Sequence, residues 1–220
     1  MTTLSRQVMS QVDRAVEILK KGGMVAYPTD TVYGVGGDVF NIEAIKRIYR
    51  VKRRPDNMPL PVLLAGEAQL SDVVSDVPET ARRLIKRFWP GGLTLVMPKK
   101  ASVPDIITAG SQKIAVRIPG HDIPLRLIRG LGRPIIGTSA NISGKPNPLT
   151  AEEVSRQLDG QVDLIIDGGR CPGGMESTVV DVTGEVPVIL RRGIISEQEI
   201  KKVCGECLME VGESAHCSGL

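Results

Sequence analysis

The residues of this sequence with types suited to chemistry are small hydroxyl and amide side chains and a few basic ones. The small polar residues lie on turns beside predicted strands, as Thr29 and Thr31, as the run Thr138-Ser139-Ala140-Asn141, and as Ser177-Thr178. Each of them alone is typical of a turn or a cap. The basic residues lie in or just after a predicted strand or helix, and they are Lys52, Arg54, Arg117 and Arg191. Arg binds carboxylates and phosphates with two hydrogen bonds and Lys offers a point charge, so together these residues could hold a carboxylate and phosphates in one cleft.

The chemistry that such a cleft could perform is a transfer at phosphorus. The chain has two histidines, and His216 lies near its end, so a catalytic triad would depend on His121 alone. The run YGVGGD at residues 33–38 fits neither standard glycine-rich nucleotide loop. Phosphoryl or nucleotidyl transfer requires mainly positioning and charge neutralisation, usually with Mg²⁺. The basic and hydroxyl residues can supply both, and an ionised substrate oxygen can attack phosphorus without a general base.

Positive charge is concentrated in the stretch KRIYRVKRR at residues 46–54, which contains six basic side chains and no acid. The whole chain has 28 Lys and Arg against 25 Asp and Glu, so its net charge is only +3. A charge run of this kind is often a solvated helix face. A second basic stretch, RRLIKR, lies at residues 82–87. An anionic partner is therefore expected to meet a local patch and not a uniformly basic surface.

Length and composition indicate one globular domain outside any membrane. A chain of 220 residues with 41% hydrophobic content can bury a sizeable core. Its apolar runs are all far shorter than the ~20 residues of a membrane-spanning helix. The segment MTTLSRQVMSQVDRAVEILKK at the N-terminus is polar and unlike a signal peptide. We therefore predict a cytoplasmic protein.

The four cysteines do not form the spaced framework of a disulfide-stabilised protein, so reduced thiols are expected. Three of them lie in the last seventeen residues, where Cys204, Cys207, His216 and Cys217 could together bind zinc. The sequence around these residues has no strong apolar pattern with which to build a core, which favours a mobile tail. We predict a domain over residues 1–203, a flexible tail over residues 204–220, and no bound metal.

Hydrophobic periodicity predicts alternating helices and strands. Helices are predicted over residues 6–21, after Asn41, over residues 79–88 and 122–130, and after the caps Thr150/Glu153 and Ser196/Glu199. Strands are predicted at residues 24–27, 61–65, 93–97, 114–118, 134–138, 162–166, 177–182 and 186–190. The tripeptide TGE between the last two strands indicates a hairpin, and hence a mixed sheet. The predicted fold class is a single domain of helices around one twisted mixed β-sheet.

Seven sequence blocks resemble the YrdC/Sua5 family, the threonylcarbamoyl-AMP synthases. In order they are YPTDTVYGVGGD, VKRRPDNMPLPVLLA, WPGGLTLVM, IAVRIP, TSANISGKPNP, ESTVVDV and ILRRG, and the resemblance covers residues 15–195. It implies an α+β domain with a strongly twisted mixed sheet and a positively charged concave face. It also implies the joining of L-threonine, bicarbonate and ATP, with its Mg²⁺, into L-threonylcarbamoyladenylate with release of pyrophosphate. That product would reach adenosine 37 of tRNA through a downstream threonylcarbamoyl transferase.

The resemblance also implies roles for particular residues. Lys52 and Arg54 match the K-x-R motif that faces the ATP phosphates. The family positions that hold threonine are matched by Thr31, Arg117, Ser139 and Ser177, with Arg117 as the partner of the threonine carboxylate. On the nucleotide side the matching residues are Asn141, which completes an S-x-N motif, and Arg191, whose block closes over ATP. The implied catalytic set is Lys52, Arg54, Ser139 and Asn141.

Two positions depart from the family pattern, and the chain matches its short form. Met58 stands where many relatives have a polar residue, and Leu63 stands where some longer members have a His near threonine, so those contacts are not transferred. Longer members add a second domain after a linker, whereas only 25 residues follow Ile195 in this sequence.

Two other functions stay open from the sequence. An RNA-binding module could use the same basic surface to bind tRNA or double-stranded RNA, although an aromatic content of 3% offers few platforms for base stacking. A relative that forms a carbamoyl adenylate, as in hydrogenase maturation proteins, would carry further regions that this chain lacks.

Overall fold

The structure is a computed structural model that describes residues 4–209. Its helices are α1 (Arg6–Lys20), α2 (Ile42–Lys52), α3 (Leu70–Val73), α4 (Glu79–Phe88), α5 (Asp105–Thr108), α6 (Asp122–Leu131), α7 (Ala151–Leu158) and α8 (Glu197–Cys204). Its strands are β1 (Val25–Tyr27), β2 (Gly34–Gly36), β3 (Val62–Leu63), β4 (Leu93–Pro98), β5 (Lys113–Arg117), β6 (Ile135–Ile136), β7 (Thr138–Ser139), β8 (Leu164–Ile165), β9 (Thr178–Asp181), β10 (Val188–Arg191) and β11 (Leu208–Met209). Every helix and strand predicted from periodicity is present, while β2, β7 and β11 were not predicted.

Side-chain caps set the starts of several helices. Asn41 accepts a hydrogen bond from the backbone N–H of Ala44 at 3.0 Å and begins α2 as predicted. Ser196 and Glu199 form a complete capping box at the start of α8. At α7 the predicted box is only half formed, because the carboxylate of Glu153 accepts from the N–H of Leu149 at 2.6 Å instead of from Thr150. Each cap satisfies an N–H group that the first helical turn leaves unpaired.

The strands form two hydrogen-bonded sheets instead of the single sheet predicted. The larger sheet has the order β11-β10-β9-β4-β5-β3-β6 and the smaller one β7-β2-β1-β8. Both contain parallel and antiparallel pairs, and the predicted TGE hairpin joins the antiparallel strands β9 and β10. The sheets approach each other where the N–H of Ile136 donates to the carbonyl of Gly37 at 2.9 Å. A Cβ on Gly36 would lie 1.8 Å from the carbonyl oxygen of Ile136, so only glycine allows this approach.

The core lies between these sheets and the helices. Strand β4 is buried on both faces over its first five residues, as expected for a central strand covered on both sides. Helices α1 and α6 pack against each other through buried Val12, Ala15 and Leu19 of α1 and Leu127, Ile128 and Leu131 of α6. Apart from the division of the strands into two sheets, the predicted class, a single α+β domain with a twisted mixed sheet flanked by helices, is confirmed by its structural neighbours, which are reported below.

The predicted domain boundary after residue 203 cuts through ordered structure. Helix α8 continues to Cys204, and β11 pairs in parallel with β10. The N–H of Leu208 donates to the carbonyl of Pro187 at 2.9 Å, and Cys207 is buried in the main core. For residues 204–209 the prediction of a flexible tail is therefore wrong. The rest of that segment, including His216 and Cys217, lies outside the described residues.

Truncation after Val203 should therefore destabilise the protein, contrary to what the sequence suggests. It removes the edge strand β11 and the buried Cys207 side chain, a loss of about 2 kcal/mol. In a domain of this size that loss lowers Tm by roughly 4–8 °C. Thermal unfolding of chains ending at Val203 and at Met209 would measure it. Equal Tm values for these two chains would contradict a structural role for residues 204–209.

Two negative observations apply to residues 4–209. None of the helices there is long and apolar enough to cross a bilayer. The same residues contain no group of three or more His, Cys, Asp or Glu side chains placed to share a metal ion. The prediction that the four ligand candidates near the C-terminus do not bind zinc stays a prediction, since two of them lie outside this range.

Candidate active site

The end of α2 places Lys52 and Arg54 on the same side of the backbone. Arg53 adopts the left-handed conformation, with φ of 49°, and its N–H donates back to the carbonyls of Tyr49 and Arg50. This turn leaves Arg53 exposed while Lys52 and Arg54 are buried, with 1% and 7% of their surfaces accessible. The K-x-R spacing therefore directs two cations inward and one outward.

Lys52 is a buried cation held by oxygen atoms of residues 138–141, which we call the TSAN segment. Its Nζ donates to the carbonyl of Ser139, to the carbonyl of Asn141 at 2.8 Å and to Oδ1 of Asn141 at 3.1 Å. Burial, and then repulsion from Arg54, lower the pKa of Lys52 to about 7, while Glu176 acts in the opposite direction. An anion in the cleft would favour the protonated form of Lys52 and oppose this lowering of its pKa.

Arg54 is fixed by backbone carbonyls of the loop that follows it. Its Nε donates to the carbonyl of Met58 at 3.1 Å and its Nη2 donates to that of Pro59 at 2.7 Å. The hydroxyl of Tyr49 donates to the same Met58 carbonyl at 2.9 Å. Met58 therefore contributes its main-chain carbonyl to this arrangement.

The TSAN segment forms the wall opposite Lys52. The hydroxyl of Ser139 donates to Oδ1 of Asn141 at 2.7 Å, and Nδ2 of Asn141 donates to the carbonyl of Lys145 at 2.6 Å. Ser143 follows on the same loop, and its hydroxyl is buried without a hydrogen-bond partner among the described residues. An unpaired buried hydroxyl beside Lys52 and Arg54 is a candidate ligand contact.

Arg117 lies at the end of β5 and is almost completely buried. Its Nη2 contacts Oδ1 of Asp30 at 2.6 Å, its Nη1 donates to the hydroxyl of Thr31 at 3.1 Å, and its Nε donates to the carbonyl of Gly91 at 2.8 Å. Burial lowers the pKa of Arg117, and the neighbouring Asp30 opposes that effect. Arg117 is therefore fixed in place, with its charge partly balanced by Asp30.

Ser177 and Arg191 form the facing side of the cleft. Nη2 of Arg191 donates to the carbonyl of Ser177 at 2.9 Å and to its hydroxyl at 3.1 Å. The hydroxyl of Ser177 also lies 2.8 Å from that of Thr94. Nη1 of Arg191 forms an ion pair of 3.0 Å with Oε2 of Glu176. Strand β10 thus brings a cation to the start of β9.

These residues line one cleft with two adjoining compartments. We call the first the Arg117 compartment, and it is lined by Thr29, Thr31, Leu63, Thr94, Arg117, Ser139, Glu176, Ser177 and Arg191, among others. We call the second the Lys52 compartment, and it is lined by Lys52, Arg54, Ser139, Asn141, Ser143 and Glu176, among others. Ser139 and Glu176 border both compartments.

The structure brings all of the predicted site residues to this cleft. Arg191, which the resemblance places on the ATP side, lines the Arg117 compartment, and its role toward ATP stays a prediction. Leu63 lines the same compartment with an apolar side chain. Glu176, Ser143 and Thr94 were not singled out from the sequence. Glu176 is the first residue of the block ESTVVDV and Ser143 follows Asn141 by two positions, so proximity to a matched motif was the available signal.

The basic run at residues 46–54 divides between the cleft and the surface. Lys52 and Arg54 are buried in the cleft, whereas Lys46, Arg50 and Arg53 are exposed. Lys46 pairs with Glu43 at 2.9 Å, and Arg47 makes two contacts with Asp163 at 2.6 and 2.9 Å. The solvated-face interpretation is therefore right for most of the run and wrong for its end.

The fold and the cleft define a mixed α/β protein with two joined compartments, each lined by buried basic side chains. A model of the Sua5/YciO/YrdC family, described as "Telomere recombination", matches residues 17–193. The chain belongs to this family, which confirms the resemblance noted from its sequence blocks.

Two relatives and one crystal structure illustrate the similarity. The chain is 47% identical over 192 residues to the threonylcarbamoyl-AMP synthase of Pyrococcus abyssi, covering 87% of this chain and 56% of the relative. It is 44% identical over 205 residues to the enzyme of that name from Bacillus subtilis, covering 93% and 59%. The crystal structure of P. abyssi Sua5 complexed with L-threonine matches with a TM-score of 0.88 and 46% identity, covering 90% and 58%. The chain thus spans somewhat more than half the length of these relatives.

Proposed function

We propose that this protein is an L-threonylcarbamoyladenylate synthase, which joins L-threonine, bicarbonate and ATP and releases pyrophosphate. The observation that carries the proposal is the pair of joined compartments, since one offers fixed guanidinium and hydroxyl groups and the other a buried Lys and Arg. The names of the relatives support the same activity, as does the L-threonine bound to P. abyssi Sua5. The product would serve N6-threonylcarbamoylation of tRNA.

In the proposed reaction the threonine ammonium first gives up one proton to solvent. The neutral amine then attacks the carbon of bicarbonate, and water leaves to give an N-carboxylated threonine. An oxygen of that new carboxylate then attacks the α-phosphorus of ATP, and pyrophosphate departs with the electrons of the broken P–O bond. The attacking oxygen is already ionised, so no general base is required at this step. The protein holds the reactants at the border of the two compartments and offsets the phosphate charge.

The Arg117 compartment would hold L-threonine and the Lys52 compartment the triphosphate. Arg117 faces the threonine carboxylate, and the hydroxyls of Thr31, Ser139 and Ser177 surround the amino acid. Lys52 and Arg54 supply positive charge to the phosphates, with Asn141 beside them and Arg191 across the border. Leu63 would contact the threonine side chain, replacing a polar contact with an apolar one.

Mg²⁺ is expected to enter with ATP as the phosphate-bound ion. Mg²⁺ in nucleotide sites is held largely by substrate phosphates and water, with one or two protein carboxylates. Among the residues described as lining either compartment, Glu176 is the single carboxylate. The donor set therefore suits an ion carried by the nucleotide and not a resident metal, and the ion would supply further charge neutralisation.

ATP binding should be accompanied by proton uptake at Lys52. Burial lowers the pKa of Lys52 to about 7, so we expect this side chain to lose its proton between pH 7 and pH 8 when no ATP is bound. Triphosphate charge favours the ammonium form and raises the pKa, so affinity for ATP should fall as pH rises above 7. Calorimetry at pH 8 in buffers of different ionisation enthalpy should detect uptake of nearly one proton. Lys52→Met should abolish that uptake, and uptake by this variant equal to that of the parent would contradict the assignment.

The proposed activity is tested by measuring pyrophosphate release from ATP. The expected result is release with L-threonine and bicarbonate, and almost none with carbamoyl phosphate or with ATP alone. Release with carbamoyl phosphate instead of threonine would indicate the carbamoyl-adenylate chemistry. RNA binding without any pyrophosphate release would indicate an RNA-binding module that uses the exposed basic residues of α2.

We further infer where the product is used. It would be formed in the cytoplasm and taken up by a threonylcarbamoyl transferase acting on tRNA. The exposed cations Lys46, Arg50 and Arg53 lie on and just after the helix that ends at the cleft, where they could attract a phosphate backbone. Transfer of the threonylcarbamoyl group to tRNA would need no reacting group from this chain.

A further inference from the structure

We propose that Glu176 binds the ammonium group of the amino-acid substrate and orients its nitrogen toward the Lys52 compartment. The inference rests on the proposed function, because it concerns the amino acid that the Arg117 compartment would hold. Nothing in the sequence blocks assigns a role to this residue.

The first observation is the position of Glu176 at the border of the two compartments. Glu176 lines both compartments, as does Ser139. In the proposed reaction the threonine nitrogen acquires the carboxyl group that then attacks the nucleotide. The nitrogen must therefore lie where the two compartments meet, which is where Glu176 lies.

The second observation is the charge balance of the cleft. Lys52, Arg54, Arg117 and Arg191 are cations, and the carboxylate of Asp30 is already bound to Arg117 at 2.6 Å. An α-amino acid brings a carboxylate, which these cations suit, and an ammonium, which they repel. Glu176 provides the negative charge that can accept from the ammonium, and its side chain keeps 23% of its surface accessible. The charge pattern of the cleft is complementary to a zwitterion when Glu176, in addition to its 3.0 Å pair with Arg191, faces the amine.

The third observation is that the backbone at and just after Glu176 is packed against neighbouring segments and hydrogen-bonded to them. The N–H of Ile194 donates to the carbonyl of Glu176 at 3.0 Å, and the N–H of Thr178 donates to that of Gly92 at 3.0 Å. A Cβ on Gly193 would lie 2.4 Å from the carbonyl carbon of Ser177, so the two segments are in close contact. At the end of the side chain, Nη1 of Arg191 forms an ion pair of 3.0 Å with Oε2 of Glu176. A fixed carboxylate loses little conformational entropy when it binds a ligand.

The amine is a better partner for this carboxylate than the triphosphate. Like charges repel, so Glu176 would weaken ATP binding unless a cation stood between them. The ammonium of threonine is such a cation in the adjoining compartment. A role as a ligand of the Mg²⁺ that accompanies ATP is the competing interpretation, and it makes a different prediction for the variant below.

The test is a comparison of two ligands by calorimetry. The ligands are L-threonine and the analogue that has a hydroxyl in place of the ammonium, (2S,3R)-2,3-dihydroxybutanoate. The variant is Glu176→Gln, which keeps the shape and can still accept a hydrogen bond from Arg191. The control is Glu185→Gln, which makes the same charge change at an exposed position in the turn between β9 and β10.

The parent chain and Glu185→Gln should prefer threonine over the analogue by about 10- to 100-fold, as expected for a hydrogen bond between charged groups. Glu176→Gln should reduce this preference to less than about threefold while its affinity for the analogue stays near that of the parent. If Glu176 had only a structural role, Glu176→Gln would lower the affinity for both ligands equally, and that result would overturn the proposal.

Two other outcomes also decide the matter. An unchanged preference for threonine, combined with a raised Mg²⁺ requirement for ATP binding in Glu176→Gln, would overturn the proposal in favour of the metal role. Failure of the parent chain to bind L-threonine at all would contradict the proposed function itself. If the parent binds threonine and the variant keeps its preference, only the role of Glu176 fails.

Discussion

Replacing Lys52 with Met should reduce adenylate formation by on the order of 10²-fold or more, because the triphosphate and its transition state lose a buried, preorganised cation. The Met side chain fills a similar volume, so the core around α2 stays packed. Three oxygen acceptors of Ser139 and Asn141 lose their donor. The expected cost is about 1–3 kcal/mol of stability, which leaves a folded protein. Arg54→Ala should cause a loss of activity of the same order. Pyrophosphate release under saturating threonine measures both effects.

Lys46→Met is the matched control, since Lys46 belongs to the same basic run but is exposed and pairs with Glu43. The activity of Lys46→Met should stay within about twofold of that of the parent, because an exposed ion pair contributes little to the free energy of folding. If folded Lys52→Met and Arg54→Ala both retained the parent rate, the phosphate assignment of the Lys52 compartment would be wrong.

Arg117→Lys should raise the KM for L-threonine by about 10- to 100-fold and change the KM for ATP by much less. Lys retains the charge but loses the planar group, so it cannot keep the contacts with Asp30, Thr31 and Gly91 and also present two donors to a carboxylate. Steady-state kinetics with each substrate varied in turn would separate the two effects.

Arg47→Lys provides the control for that experiment. Arg47 also binds a carboxylate through two nitrogen atoms, those of its pair with Asp163, but it lies outside the cleft. The variant should leave both KM values near those of the parent. Equal increases of both KM values in Arg117→Lys would indicate that Arg117 supports the structure of the cleft in general and does not bind threonine.

The local parts of the fold could be predicted from the sequence because they depend on neighbouring residues. Asn41 and Ser196 cap the helices that follow them, and the TGE turn joins β9 to β10. The strands β7 and β11 have two residues each and form only by pairing with distant segments. The equally short strands β3, β6 and β8 were predicted because they lie within longer apolar runs. Strand β7 is made of the polar residues Thr138 and Ser139, and β11 lies in no such run, so neither could be predicted.

In the cleft, too, the sequence predicted the features that depend on neighbouring residues but not those that depend on contacts between distant segments. The K-x-R spacing predicted two cations, but the acceptors of Lys52 lie 87 and 89 positions away along the chain. The lowered pKa of Lys52 results from that burial and is invisible in the sequence. Glu176 gains its place at the border from the contact of the Gly193 segment with β9, which is again a tertiary feature.

The measurement that tests the central claim most directly is incorporation of labelled carbon from bicarbonate into a nucleotide product. The purified chain would be incubated with ATP, Mg²⁺, L-threonine and ¹³C-bicarbonate, and the product analysed by mass spectrometry. The account predicts a single adenylate whose mass is that of AMP joined to threonine through one carbonyl carbon, with the label in that carbon. Formation of an adenylate without the label, or pyrophosphate release that does not depend on threonine, would contradict it.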